Sequence, residues 1–148
     1  MSLPVSFVEV RVLVHATEDL GKVLKSLMNL VGEDVFGEVE FSREKLEGHY
    51  GNPITLVKAK VYSKSQARKI LQNIFSRLNA ADKSRLLDEV ESRVDEDGNF
   101  HFRLDKQEAY LGRIKLGNID SVHFQVRLAI PRKQREKIVN VFKKIILG

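Results

Sequence analysis

From Ser121 to Ile130 the chain alternates without a break. Val122, Phe124, Val126, Leu128 and Ile130 are apolar, and Ser121, His123, Gln125, Arg127 and Ala129 between them are polar or small. Successive side chains of a strand point to opposite faces, so this pattern predicts a strand with one face on a core and the other in water. The same period recurs where Val8, Val10, Val12 and Val14 alternate with Glu9, Arg11, Leu13 and His15. It recurs again in Phe100, Phe102 and Leu104, after the turn signal Asp97-Gly98. Strands with one wet face argue against a doubly covered parallel sheet. They predict an α+β fold in which a mainly antiparallel sheet carries helices on one face.

The segments between the strands read as helices and turns. Thr17 has the form of an N-cap followed by Glu18 and Asp19, and Leu20, Val23, Leu24, Leu27, Met28 and Val31 then recur at helical spacing up to Gly32. Val35, Val39 and Phe41 predict a second strand with Glu38 and Glu40 outward. Gly48-His49-Tyr50-Gly51-Asn52-Pro53 predicts a loop feeding a strand from Ile54 to Tyr62. Ser63 with Gln66 forms a capping box for a helix burying Ala67, Ile70, Leu71, Ile74, Phe75 and Leu78. A short acidic helix follows over Asp82 to Glu91. Asp105 then caps a short helix that stops at Gly112, and Pro131 opens a last helix with Ile138, Val141, Phe142 and Ile145 inward. The expected order is β-α-β-β-α-α-β-(short α)-β-α, forming one domain over residues 1–148, with no repeat and no dividing linker.

Charge is segregated along this order. The net charge is +5, yet residues 51–81 contain six Lys or Arg and no acid, and residues 131–148 contain six against one. Lysines placed only for solubility are not expected to segregate in this way. A turn of 100° per residue sets Arg68 and Lys69 opposite the apolar stripe of the second long helix, with Lys64 at its edge. The same rotation gives Arg132, Lys133, Lys137, Lys143 and Lys144 one arc of the last helix. Basic faces of this kind bind phosphates, and the counterions they release supply the affinity. The bland alternative is a solvated face in a charge-rich protein.

Several classes of chemistry lack the residues they need. There is no cysteine, hence no disulfide or thiolate chemistry, which agrees with a reducing cytoplasm. No signal-peptide pattern and no apolar run long enough for a bilayer is visible, so a cytoplasmic protein without membrane contact is expected. The four histidines lack i,i+4 or His-x-His spacing, so no metal is expected. No phosphate-binding loop, dinucleotide fingerprint or nucleophile elbow occurs, which leaves no catalytic residues and no cofactor to assign. Arg11, His15, His101, Arg103, His123 and Arg127 all fall on the polar faces of strands. If those strands share a sheet, its open face is rich in His and Arg.

His15-Ala16-Thr17-Glu18-Asp19, Gly48-His49-Tyr50-Gly51-Asn52-Pro53-Ile54 and Phe102-Arg103-Leu104-Asp105-Lys106-Gln107 through Leu111-Gly112 resemble the signature segments of an archaeal family. Its members are described as predicted RNA-binding and exosome-associated proteins, and the resemblance runs from about Val8 to Ile146. It implies an α+β fold similar to the fifth protein of the large ribosomal subunit and loosely to double-stranded-RNA-binding domains. The segment Ser63 to Lys69 is similar to the basic start of the second helix in such domains, where side chains meet phosphates across a groove.

The reading is a non-catalytic protein that binds structured RNA by shape and phosphate backbone, without sequence specificity, as an accessory factor in RNA processing. Lys64, Arg68 and Lys69 would contact RNA from one helix and Arg132, Lys133 and Lys137 from another. His49, Asn52, Arg103 and Lys106 would frame the site. The alternative is a protein-interaction subunit of an RNA-processing complex that uses the acidic segment from Asp82 to Asp97 and never touches RNA. A homodimer is compatible with either.

Overall fold

The computed structural model describes residues 4–48 and 50–148, so His49 lies outside the described residues. Among the described residues five strands form one sheet: β1 (Val5–His15), β2 (Ser42–Glu47), β3 (Pro53–Val61), β4 (Phe100–Asp105) and β5 (Ser121–Leu128). Their spatial order is β2-β3-β1-β5-β4, and every neighbouring pair is antiparallel. The helices are α1 (Leu20–Val31), α2 (Glu33–Glu38), α3 (Lys64–Arg77), α4 (Ala80–Arg93), α5 (Lys106–Tyr110) and α6 (Arg135–Leu147).

The alternating residues do what their period demands. Val8, Val10, Val12, Val57, Phe102, Val122, Phe124 and Val126 are buried under the helices, while Arg11, Lys58, Lys60 and Arg103 stand exposed on the opposite face. Aromatic side chains tie the sheet to its cover. Phe102 stacks on Phe124 with ring centroids 5.1 Å apart, touches Phe75 of α3 at 5.5 Å, and neighbours Phe100, which meets Phe142 of α6 at 4.7 Å. Burying rings of this size supplies much of the driving force for closing the helical layer onto the sheet.

Several expectations are corrected. Residues 33–38 are helical, because Glu33 and Asp34 suit a helix N-terminus and the turn puts Val35 into the core. The second strand comes instead from Ser42–Glu47. Its residues are all exposed, so its pairing with β3, rather than any apolar alternation, makes it a strand. A charged edge strand of this type discourages pairing with other chains. At α1 the cap is Asp19, whose Oδ1 accepts the Gly21 N–H at 2.8 Å, and not Thr17. Helix α4 is longer than its acidic middle and starts after Asn79, whose Oδ1 accepts the Asp82 N–H. Pro131 forms a turn closed by the Gln134 N–H, so α6 begins only at Arg135. Its buried stripe is therefore Ile138, Val139, Phe142 and Ile146, with Val141 and Ile145 at the margin.

The cap at Ser63 is present, but Gln66 turns away from the reciprocal bond and donates to Glu38 Oε2 at 3.0 Å. Asp105 caps α5 by accepting the Glu108 N–H at 2.8 Å, and Gly112 follows with φ of 83°.

Candidate nucleic-acid interface

The sheet topology decides where the basic helices start. Strands β3 and β5 both run antiparallel to β1, which lies between them, so they run parallel to each other. Val61 and Val126 are both paired to Val8, which places the ends of β3 and β5 at the same edge of the sheet, about 10 Å apart. Helix α3 leaves that edge after β3, and the turn into α6 leaves it after β5. Lys64, Arg68 and Lys69 therefore emerge at the same end as Arg132, Lys133 and Lys137. All six are exposed. Among the described residues only Arg132 of the six has an ion pair, a loose one to Asp97 at 3.5 Å. The other five carry unneutralised charge at one end of the molecule.

Aromatic surface adjoins this end. Tyr62, immediately before the α3 cap, is 65 % exposed and meets Phe7 edge-on at 6.1 Å. Lys60 lies 4.2 Å from the Phe7 ring centre, and the Arg127 guanidinium lies 5.7 Å from it on β5. Arg132 and Lys133 belong to the turn before α6 and not to its outward arc.

Of the residues expected to frame this site, Asn52, Arg103 and Lys106 lie elsewhere, and His49 falls outside the described residues. The loop holding Asn52 precedes β3 and α3 follows it, so nine strand residues, roughly 30 Å, separate Asn52 from Lys64. The loop is also bonded to itself. The Gly48 N–H donates to the Asn52 carbonyl at 2.6 Å and the Gly51 N–H to the Gly48 carbonyl at 2.9 Å. A Cβ on Gly48 would sit 2.9 Å from that Asn52 oxygen, and Gly51 has φ of 76°. The glycines serve the turn, and these two amides are not available to a phosphate.

Lys106 is the sharper correction. It is 2 % exposed, and its ammonium donates to the Leu13 carbonyl and to Glu18 Oε1, each at 2.9 Å, and forms an ion pair with Asp120 Oδ1 at 2.7 Å. Buried and held by two carboxylates, the Lys106 ammonium is not presented to RNA. The same geometry explains why His15, Glu18 and Asp120 gather closely enough to resemble a metal site. The positive charge that holds the two carboxylates together is the lysine's own.

Arg103 lies on the open face of the sheet, with neighbours that the residue pattern does not reveal. The strand register sets Ser42, Lys58, Arg11, His123 and Arg103 opposite one another in a single row across all five strands. His123 stacks on His101 with planes 4° apart, and the facing nitrogens are 2.9 Å apart. His101 Nε2 in turn meets Asp95 Oδ2 at 2.7 Å. Burial, then the charges of Arg103, His101 and Arg11, push the His123 pKa down to about 4, so its ring is neutral at pH 7. Partial burial acts to raise the Asp95 pKa, but hydrogen bonds from His101 and from the Asn99 and Asp97 amides outweigh it and hold the carboxyl below its ordinary value. Beside the row, Leu13, Leu56, His15, Asn118 and Ser121 line an open depression of about 480 Å³.

The described helices include none long and apolar enough to cross a membrane. Comparison with known proteins agrees with a nucleic-acid role. RNA-binding protein PAB1135 of Pyrococcus abyssi is 35% identical over 143 residues, which cover 95% of this chain and 93% of the relative. The crystal structure of AF2318, a DUF54 protein from Archaeglobus fulgidus, superposes with a TM-score of 0.83 at 31% identity, covering 95% of this chain and 99% of that one. The DUF54 protein Mth689 of Methanothermobacter thermautotrophicus gives 0.80 at 29% identity, covering 96% and 98%. A family model described as RNA binding matches residues 7–128, from the first strand to the end of the fifth. The fold and the match span the same strands and α3, and the chain belongs to this RNA-binding family.

Proposed function

We propose that the protein is a non-catalytic RNA-binding protein that grips the phosphate backbone of structured RNA with the basic starts of α3 and α6. The observation that carries this reading is the exit of both segments from one sheet edge, which gathers five cations without ion pairs among the described residues, from positions more than sixty apart in sequence. Tyr62, exposed and backed by the buried Phe7 ring, gives the same end a surface for an exposed base. Contacts of this kind read shape and charge, so binding is expected to be salt-dependent and weakly selective in sequence.

The test is a titration of the full chain with an RNA hairpin at several salt concentrations. Replacing both Arg68 and Lys69 with Ala is expected to lower affinity and to flatten the log K against log salt slope by about 0.9 for each phosphate no longer neutralised. Unchanged affinity with an unchanged slope would overturn the assignment. An accessory place in an RNA-processing assembly follows from the archaeal resemblance, and capture from nuclease-treated extract tests it. A partner retained without RNA would instead favour contact through protein, for which the exposed Asp88, Glu91 and Glu96 of the acidic segment are available.

A further inference from the structure

The helix starts leave the open sheet face unused. We propose that this face is a second RNA contact, a track for a single-stranded segment whose phosphates lie over Lys58, Arg11, His123 and Arg103. The inference rests on the RNA-binding reading but uses a different surface from the helix starts.

Length is the first argument. The row from Lys58 to Arg103 crosses four adjacent strands, about 14 Å at the usual strand spacing, and so follows a chain instead of gripping one phosphate. Charge is the second. Lys58 and Arg103 have no ion pair among the described residues, and the Glu9 carboxylate is 3.8 Å from Arg11. Two further carboxylates near the row are already engaged, Asp120 by Lys106 and Asp95 by His101. Burial first, and then the charges of Arg103, His101 and Arg11, lower the His123 pKa, so the charges that act on it are all positive.

The surface beside the row favours single strands over duplex. Next to the row the depression has Leu13, 42 % exposed, and Leu56 on its floor, with His15, Asn118 and Ser121 around it. An apolar floor with hydrogen-bonding groups at the rim suits the flat face and polar edge of a nucleobase. A duplex hides both inside its stack, whereas a single strand presents them.

The experiment measures fluorescence anisotropy of the full chain with a six-nucleotide uridylate strand and, separately, with an RNA hairpin lacking overhangs. Arg11→Gln combined with Arg103→Gln is expected to weaken hexauridylate about tenfold and to reduce its salt slope by about 0.7 for each phosphate set free, leaving the hairpin unchanged. Lys64→Ala, Arg68→Ala and Lys69→Ala together are expected to do the reverse. Addition of the hexamer to the unaltered protein should also shift the His123 ring resonances, a readout that does not depend on how a variant folds. The proposal is overturned if the unaltered chain fails to bind the hexamer, if the sheet variant binds it undiminished, or if the His123 resonances stay in place. Loss of hexamer and hairpin together in the sheet variant would also overturn it, since that would mean one shared surface. Failure of the helix variant to weaken the hairpin refutes the helix-start assignment alone.

Discussion

Lys106 is the residue whose replacement best separates fold from ligand contact. Lys106→Met keeps the length and apolar stem but removes the charge, leaving the Leu13 carbonyl, Glu18 and Asp120 without their common donor. Removing one partner of a fully buried ion pair costs about 3–5 kcal/mol. The Glu18 and Asp120 side chains are 20% and 37% exposed, so water can recover part of their solvation. A loss of about 2–3 kcal/mol is therefore expected, and for a chain of this size it lowers Tm by about 6–10 °C. Urea denaturation should show an earlier midpoint with an unchanged slope. Affinity for an RNA hairpin, measured where the variant is still folded, should stay within about twofold of the parent, since the buried ammonium is not exposed to a ligand at the helix starts. Adding Glu18→Gln and Asp120→Asn should recover part of the lost stability by removing the orphaned charges. A Lys106→Met chain as stable as its parent but about tenfold weaker for the hairpin would refute this reasoning and place the ammonium in the binding site.

Three other sites carry measurable consequences. Below the ordinary His pKa of 6.5 the unfolded chain takes up a proton at His123 that the folded chain refuses until about pH 4. Stability should thus fall as pH drops across that window, by about 1 kcal/mol after discounting for the half-exposed ring, and His123→Gln should abolish that part of the slope in urea midpoints at pH 7 and 4.5. Asp95, whose pKa is lowered, adds a separate loss as pH falls through its folded pKa, below the ordinary 3.8. Arg135 donates to the carbonyls of Glu91, Val94 and Asp95 at 2.7–3.1 Å and so caps the C-terminus of α4. Arg135→Ala should cost about 1–2 kcal/mol in thermal or chemical denaturation and leave RNA affinity nearly unchanged, unlike its neighbours Lys133 and Lys137.

The sequence by itself determined most of the strands, the buried stripes and the segregation of charge, because those depend on local periods. A period of two in Ser121 to Ile130 and of 3.6 in Ala67 to Leu78 specifies which residues face a core, whatever that core turns out to be. It also marked Lys64, Arg68, Lys69, Lys133 and Lys137 as outward cations. The short segment Ser42 to Glu47 has no such period, so its strand state came only from pairing with β3. Other facts were decided by residues far apart in the chain. Lys106 is 93 positions from the carbonyl it caps, and nothing around it in sequence distinguishes an exposed turn lysine from a buried one. The row of Lys58, Arg11, His123 and Arg103 exists only because of strand order and register, and a slip of one residue in any strand would send its member to the opposite face. The meeting of the α3 and α6 starts depends on β1 running between β3 and β5, a long-range pairing that local patterning cannot express.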